Sequence, residues 1–304
     1  MCIRDRLKQP EKAAEYYAQA MKMPSEYVFP FQGEEVEVLR AAMKANPRDA
    51  RAPYYLGNLL YDWQPAEAAK AWEAAAAIDP SMPIVHRNLA IAWWHRTSGR
   101  SLDKAIAQLE LAVAATPKYA KHFAELDELY EAAGVAPEKR LALLEKNQDV
   151  VSQRDDSLAH EAGLLVSLGK YDEAIKRLTG REFAVWEGGN LNVADNWTDA
   201  HMLRGQKLLQ AKHGKEALAE FQMALEIPTN LPSEGIDVSG REPEADYWIG
   251  SAYSALGDAA QAKKYWQKSA DVKSAPPQRQ RRRRRGGVSP RDLQACLLYT
   301  SRCV

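Results

Sequence analysis

Between residues 7 and 274, a segment that we call the body, the sequence contains no cysteine. The three cysteines of the chain, Cys2, Cys296 and Cys303, all lie near its ends. The body can therefore form neither a disulfide framework nor a cysteine-based metal site. This absence agrees with a reducing compartment such as the cytoplasm but assigns no location. No signal peptide is recognisable, but the N-terminus looks truncated, so this observation does not decide the compartment; the cytoplasm is the favoured location. No apolar run reaches the roughly 18 residues of a membrane span, so we expect no membrane association.

An excess of positive charge is also missing from the body, which holds 31 Lys and Arg against 39 Asp and Glu, a net charge of −8. Nonspecific binding to nucleic acid depends on Lys and Arg side chains that neutralise phosphates. The basic run Arg281–Arg285 could be a nuclear-localisation or RNA-binding patch. It lies, however, in a Pro- and Gly-rich stretch that is typical of a disordered tail. Nucleic acid is therefore a disfavoured partner.

The two ends differ in character from the body. Residues 1–6 and the closing stretch Cys296–Val304 resemble translated sequencing-adaptor sequence. We therefore interpret residues 1–6 as an artefact and residues 275–304 as a disordered Arg-rich tail of the same origin. The prediction of the fold uses residues 7–274 only.

Motifs that carry catalysis are absent as well. The sequence has no phosphate-binding Gly loop, no His-Glu-x-x-His motif, no nucleophile elbow and no paired metal motif. The six histidines are scattered, and His86 and His201 fall at or near the first aromatic position of the repeat described below. We interpret these two as packing residues. The sequence therefore predicts no catalytic residue, no metal site, no cofactor and no enzymatic activity.

The body does contain an internal repeat. Each copy has an apolar residue followed by a small one on a first helix. A second helix then carries Ala, a large residue four positions later and a small residue three after that. The clearest copy combines Ile249-Gly250 and Tyr253 with Ala262, Trp266 and Ser269. Five further copies are marked by Leu56-Gly57 with Trp72, by Leu89-Ala90 with Trp93 and Leu109, by Phe123 with Leu126 and Tyr130, by Leu165 with Ala174 and Leu178, and by Gly205 with Phe221.

This spacing is the pattern of the tetratricopeptide repeat. Small residues let two antiparallel helices approach closely, and large residues fill the gap between neighbouring pairs. We predict an all-α fold, a right-handed α-solenoid with about six repeats over residues 48–274. Partial repeats over residues 7–47 precede it, with two unpartnered second helices at 11–23 and 34–45. Trp72, Trp93 and Trp266 are predicted to be core residues.

The array also resembles a bacterial family in which a large N-terminal β-sandwich domain of unassigned function precedes tetratricopeptide repeats. The resemblance covers roughly residues 20–274. It rests on the stretches Tyr27–Phe31, Tyr54–Asp62, His86–Ala92 and Trp186–Gly189. It implies a role near carbohydrates, because the sandwich of that family is similar to carbohydrate-active sandwiches. The sequence in hand contains no such domain.

The register of the repeat predicts a partner-binding groove, since tetratricopeptide arrays line their concave face with first helices. A carboxylate clamp is one form that this groove could take, although Tyr54 and Glu125 replace two of the expected cations. An alternative binding element is the loop Trp186-Glu187-Gly188-Gly189, which could instead be an ordinary turn. The residues predicted to face the groove are Arg51, Tyr54, Asn58, Tyr61, Arg87, Asn88, Trp94 and Lys121.

Two functions remain open at the level of the sequence. The first is a protein-interaction scaffold that binds a peptide or a partner domain in the groove, including an N-terminal domain of the same parent chain. The second is an accessory module of a carbohydrate-active enzyme whose catalytic β-sandwich domain is missing from this fragment. Upstream sequence with carboxylates converging in a sandwich pocket would favour the second.

Overall fold

The chain is built from α-helices. A computed structural model describes residues 9–23, 28–95, 99–184, 191–231 and 240–271. Within these residues fifteen helices and no strand occur, which confirms the predicted all-α solenoid; residues 1–6 and 275–304 lie outside this range. The helices are α1 (Pro10–Ala20), α2 (Glu35–Ala45), α3 (Arg51–Leu60), α4 (Pro65–Ile78), α5 (Pro83–His95), α6 (Leu102–Ala115), α7 (Ala120–Ala132), α8 (Pro137–Lys146), α9 (Gln148–Val151), α10 (Asp155–Ser167), α11 (Tyr171–Thr179), α12 (Val193–Gln210), α13 (Gly214–Met223), α14 (Glu242–Ala255) and α15 (Ala259–Asp271).

From Arg51 onward the helices pack as six pairs, α3/α4, α5/α6, α7/α8, α10/α11, α12/α13 and α14/α15. The first member of each pair is called a first helix below, and the second member a second helix. Hydrophobic clusters join neighbouring pairs; one, for example, includes Leu56 of α3, Trp72 of α4 and Leu89 of α5. Stability therefore arises from contacts between neighbours along the stack.

Within three of the pairs, a large side chain lies directly over a glycine. A methyl group on Gly57 would lie 2.3 Å from Nε1 of Trp72, and one on Gly205 would lie 2.6 Å from Cε1 of Phe221. Gly250 has the same relation to Trp266. These close approaches explain why the repeat needs a small residue at this position of the first helix.

The prediction of three core tryptophans is correct for Trp72, which is 3% exposed, and partly correct for Trp93, which is half-buried. It is wrong for Trp266, which is 40% exposed although it contacts Gly250 as expected. The next first helix, α5, covers Trp72, whereas no helix follows α15 within the described residues.

Several turns between a first and a second helix contain a residue in the left-handed region of backbone conformation. Gly134, Gly169 and Gly257 have φ between 73° and 82°, and the amide of the residue after each glycine donates to a carbonyl five residues earlier, as in Lys170 N to Leu165 O at 2.9 Å. Lys212 takes this conformation with φ 64° between α12 and α13. A side chain is strained there, since only Gly adopts this region freely.

At the N-terminal side, α1 and α2 contact each other. Ala13 and Tyr17 of α1 are buried together with Ala42 of α2 and Ala52 of α3. The expectation of two second helices without partners is therefore wrong, because the two helices serve as partners for each other. Residues 28–32 are not helical, as Pro30 predicts; Tyr27 lies outside the described residues.

The third pair differs from the others. Asp127 of α7 occupies the position that is glycine in the first, fifth and sixth pairs, and Arg140 of α8 binds its carboxylate. The helices α7 and α8 approach each other less closely than the helices of the other pairs, and the short helix α9 follows them before α10. An ion pair here replaces the packing of a large side chain on glycine.

Candidate partner-binding groove

The eight residues predicted to face the groove all lie on or directly after the first helices of the first three pairs. Asn58 of α3 accepts a hydrogen bond from Nδ2 of Asn88 of α5 at 3.0 Å. Arg87 of α5 binds Glu125 of α7 through two hydrogen bonds, Nε to Oε2 at 2.7 Å and Nη2 to Oε1 at 2.5 Å. These contacts join three neighbouring first helices into one surface, which we call the polar row: Asn58, Asn88, Arg87, Glu125 and Lys121.

Trp72 of α4 forms hydrogen bonds with α3, the first helix of the first pair. Its indole Nε1 lies 3.1 Å from Oδ1 of Asn58 and 3.2 Å from the backbone oxygen of Tyr54. The ring of Tyr61 lies 5.2 Å from the indole, and burial followed by the nearby charge of Asp62 raises the pKa of the Tyr61 hydroxyl. Tyr54 is only 9% exposed. Tyr54 and Tyr61 therefore support the surface through packing, and Asn58 connects this packing to the polar row.

Arg51 is directed away from the polar row. Its Nη1 donates to the backbone carbonyls of Met21 and Met23, in the segment that follows α1. The side chain thus anchors the N-terminal helices to α3. The sequence predicts that Arg51 faces the groove, whereas its guanidinium binds this N-terminal segment.

Glu125 determines the charge in the middle of the row. It binds Arg87, and its Oε1 also lies 3.8 Å from Nζ of Lys121. The hydrogen bonds to Glu125 raise the pKa of Arg87, against the opposing effect of burial. Sequence reasoning placed Arg87 and Lys121 on one face and considered a carboxylate clamp as one form of the groove. In the structure the carboxylate of Glu125 already binds Arg87 and lies close to Lys121.

Trp94 is half-buried at the end of α5. The guanidinium carbon of Arg100, in the turn before α6, lies 3.8 Å from the centre of the Trp94 ring. Lys104 lies 4.2 Å from the neighbouring ring of Trp93 in the same way. Such contacts between a cation and an aromatic face contribute about 0.5–1 kcal/mol at exposed sites, so each cation favours the observed orientation of its tryptophan ring.

The loop Trp186-Glu187-Gly188-Gly189 lies outside the described residues. The segment that leads into it is held at two points: the amide of Ala184 donates to Oδ2 of Asp155 at 2.8 Å, and that of Phe183 donates to the carbonyl of Asn230 at 3.0 Å. A cavity of about 360 Å³ lies at this place. Its lining consists of Gln153, Arg154, Asp155 and Arg181. Both arginines bind aspartates, Arg154 to Asp156 and Arg181 to Asp155.

The two histidines interpreted as packing residues are buried, as predicted. The ring of His86 is held between Oε1 of Gln108 and the carbonyl of Pro80, each 2.8 Å away. Nδ1 of His201 lies 2.8 Å from Oε2 of Glu220. Burial is the main effect on His201 and lowers its pKa, although Glu220 acts in the opposite direction.

Sequence reasoning missed several buried charges inside the array. Asp127 and Glu161 are fully buried, and each binds an arginine of the following helix, Arg140 and Arg177 respectively. His160 of α10 also reaches Asp127. A signal existed in the sequence, since Asp127 and Glu161 stand where the repeat pattern calls for a small and an apolar residue.

Metal-ligand clusters and membrane-spanning helices are both absent from the described parts of the chain. No group of three or more His, Cys, Asp or Glu side chains there has an arrangement that could hold a metal ion. None of the described helices has the length and apolar character required to cross a membrane.

Comparison with known proteins identifies the class of repeat. The sequence model of the family described as Tetratricopeptide repeat matches residues 64–120, which cover α4 to α6. These residues therefore carry tetratricopeptide repeats. The match covers the second helix of the first copy and both helices of the second copy of the pattern found in the sequence, and the all-helical solenoid agrees with it.

Several solved structures are similar to this chain at low identity. YrrB, described as a TPR protein with an unusual peptide-binding site, is 15% identical over 78% of this chain and 93% of its own, with a TM-score of 0.39. PilF of Pseudomonas aeruginosa is 19% identical over 70% of this chain and 90% of its own, with a TM-score of 0.44. Human IFIT1, solved as a dimer with PPP-AAAA, is 18% identical over 88% of this chain and 65% of its own, with a TM-score of 0.37.

Proposed function

We propose that this chain is a protein-interaction scaffold that binds a peptide or a partner domain along the first helices α3, α5 and α7. The observation that carries the proposal is the polar row, because it joins three neighbouring first helices while Arg87, Glu125 and Lys121 remain partly exposed. Side chains that are held in place before binding lose less conformational entropy when a ligand arrives. Curved solenoids of this type present such rows on an extended concave surface.

The ligand that fits this surface is an extended or helical polypeptide segment. Aromatic and arginine side chains are the usual anchors of protein interfaces, and Trp94 and Arg87 supply both on α5. The polar row carries charges of both signs, since Glu125 is shared by Arg87 and Lys121. We therefore expect the ligand to contribute a polar group that exchanges with one of these internal partners, next to an apolar side chain on Trp94.

The partner in this proposal can come from two sources, the same parent chain or a separate protein. The resemblance noted in the sequence implies a β-sandwich domain of the same parent chain, which would dock on the array from within one molecule. A segment from a separate protein with the same chemistry would use the same surface. Measuring the isolated chain against the sandwich domain of its parent reading frame distinguishes these two sources.

A peptide-display library, selected on the full chain, provides the probe for an experimental test. The selected peptide is then measured by calorimetry against Arg87→Ala and Trp94→Ala. We expect each substitution to weaken binding by about 1–2 kcal/mol or more, with unchanged helicity. Two exposed residues that are not among the predicted groove residues serve as matched controls: Lys70→Ala on α4 for the cation and Trp63→Ala in the turn before α4 for the aromatic ring.

The outcome that contradicts the proposal is equally specific. If neither Arg87→Ala nor Trp94→Ala changes the affinity while Trp186→Ala lowers it, the loop at residues 186–189 is the binding element. If the control substitutions weaken binding as much as the groove substitutions, the contact lies on the outer surface of the first pair.

A further inference from the structure

The middle of the array contains a histidine between two carboxylates. His160 lies on α10, the first helix of the fourth pair, and its ring is directed at α7, the first helix of the third pair. Nδ1 of His160 lies 3.1 Å from Oδ2 of Asp127, and Nε2 lies 3.8 Å from Oε1 of Glu128. Both ring nitrogens therefore have an acidic neighbour on the adjacent pair.

Asp127 cannot move away from this contact. Its side chain is completely buried, and Arg140 of α8 holds it from the other side through two hydrogen bonds, Nε to Oδ1 and Nη2 to Oδ2, each 2.8 Å long. Nη1 of Arg140 also lies 3.6 Å from Glu131. A buried carboxylate that loses a charged partner is left less well compensated, so this position favours a protonated partner.

Negative charges outnumber free positive charges around His160. Asp127 and Glu128 of α7 and Asp156 of its own helix act on it directly. The cations nearby are already bound to carboxylates: Arg140 of α8 to Asp127, and Arg154 before α10 to Asp156. From the other helices packed against α10, Arg177 of α11 binds Glu161, and Asn196 of α12 donates to the carbonyl of Ala159.

This environment favours the charged form of the ring. Burial lowers the pKa of His160, but the contact with Asp127 and the charges of Asp127, Glu128 and Asp156 outweigh burial, so the pKa is raised. A histidine whose pKa is higher in the folded than in the unfolded protein stabilises the fold below its unfolded pKa, near 6.5. That stabilisation is lost as the pH rises through the folded pKa. Asp127, whose pKa is lowered despite burial, stays ionised throughout this range.

We propose that Arg140, Asp127 and His160 form a proton-dependent latch between the third and fourth helix pairs. When His160 carries a proton, it binds the carboxylates of Asp127 and Glu128 and holds α10 against α7. When it loses the proton, the attraction between the ring and the two carboxylates is lost, and the fourth pair separates more readily from the third. In the first, fifth and sixth pairs the position of Asp127 is a glycine, so the latch belongs to this joint within the described residues.

Hydrogen exchange measured by mass spectrometry tests the latch on the full chain. Exchange in α10 is followed from pH 5.5 to 8.5 and corrected for the intrinsic pH dependence of each amide. We expect protection of α10 in the wild-type protein to decrease as the pH rises above 6.5. In His160→Gln this pH dependence should disappear, with protection staying at the high-pH level of the wild type. If His160 binds its proton ten times more tightly in the folded than in the locally opened protein, protection of α10 falls tenfold across the titration.

Two further measurements keep the test decisive. NMR titration of the His160 ring should show a pKa above the ordinary histidine value, and Glu128→Gln should bring it closer to that value. His213→Gln is the matched control, because His213 is exposed and lies 3.6 Å from Glu216 on its own segment. If α10 keeps its pH dependence in His160→Gln, or if the ring titrates at or below the ordinary value, the latch does not exist.

Discussion

Trp72 and Gly57 are in such close contact that a methyl group on Gly57 would lie 2.3 Å from the indole nitrogen. The same relationship holds between Trp266 and Gly250, and both indoles bond to the backbone carbonyl three residues before the glycine. The two tryptophans differ in burial, with 3% of Trp72 and 40% of Trp266 exposed. One motif thus occurs in a covered and in an open setting.

The first prediction uses this difference. Trp72→Ala should lower the free energy of unfolding by about 3–5 kcal/mol, the range for a buried Trp. Trp266→Ala should cost about 1–2 kcal/mol, because its removal gives up less buried apolar area. Urea unfolding followed by circular dichroism, with native-state hydrogen exchange to locate the loss, measures both.

A second pair of substitutions provides the control for that comparison. Gly57→Ala should cost about 1–3 kcal/mol through overpacking, whereas Gly250→Ala should cost less, because Trp266 can move toward solvent. Equal costs at the two glycines would mean that Trp266 is covered in solution by a part of the chain beyond Asp271.

The repeat pattern was sufficient to predict these contacts but not the burial of Trp266. Spacing along one chain places Trp72 over Gly57 and Trp266 over Gly250, because both partners belong to one helix pair. Burial also depends on the pair that comes next, which the pattern within one repeat does not contain.

The charges of the groove show a similar limit. Arg87 and Glu125 are 38 residues apart, and their contact depends on the angle between α5 and α7. Sequence reasoning identified Arg87 and Lys121 as groove residues and noted that Glu125 replaces a cation. It could not predict that Glu125 binds both of them.

The second prediction concerns the strained turn between α12 and α13. Lys212 has φ 64°, where Gly134, Gly169 and Gly257 occupy the equivalent turns. The left-handed conformation costs a residue with a side chain roughly 1–2 kcal/mol, and glycine costs about 0.5–1 kcal/mol in chain entropy. Lys212→Gly should therefore raise stability by about 0.5–1 kcal/mol, measured as a higher midpoint of urea unfolding.

The matched control for Lys212→Gly is Lys263→Gly. Lys263 is exposed in the interior of α15, where glycine should cost about 1 kcal/mol. The two substitutions change the same residue types and should act in opposite directions. A loss of stability in both would contradict the interpretation of Lys212 as strained.

The third prediction is a pH effect at His201 that is opposite in sign to the one proposed for His160. Burial lowers the pKa of His201 in the folded protein. A histidine of this kind contributes its full stability above the unfolded pKa, near 6.5, and loses it as the pH falls toward the folded pKa. Hydrogen exchange in α12 and α13 should therefore become faster, after intrinsic correction, between pH 7.5 and 5.5.

His201→Gln should remove this acid sensitivity without affecting α10. The wild-type array would then respond to acid in two directions, with better protection around His160 and weaker protection around His201. Protection that changes uniformly along all helices between pH 7.5 and 5.5 would argue against local control by either histidine.

The last prediction concerns the carboxylate that occupies the groove. Glu125→Gln removes the charge that Arg87 and Lys121 now share, while it keeps a side chain of similar size that accepts a hydrogen bond from Arg87. A ligand that carries an acidic group on the polar row should then bind more tightly. The expected gain is about 1–2 kcal/mol, because the ligand no longer competes with an internal carboxylate for two partly buried cations.

Calorimetry with the selected peptide and with a version in which the acidic groups are amidated measures the difference. The amidated peptide should gain much less from Glu125→Gln than the acidic one. Glu67→Gln, at an exposed ion pair with Lys70 on α4, is the control that changes total charge equally. If Glu125→Gln lowers the affinity for the acidic peptide, Glu125 itself contacts the ligand, and the groove selects a basic group instead.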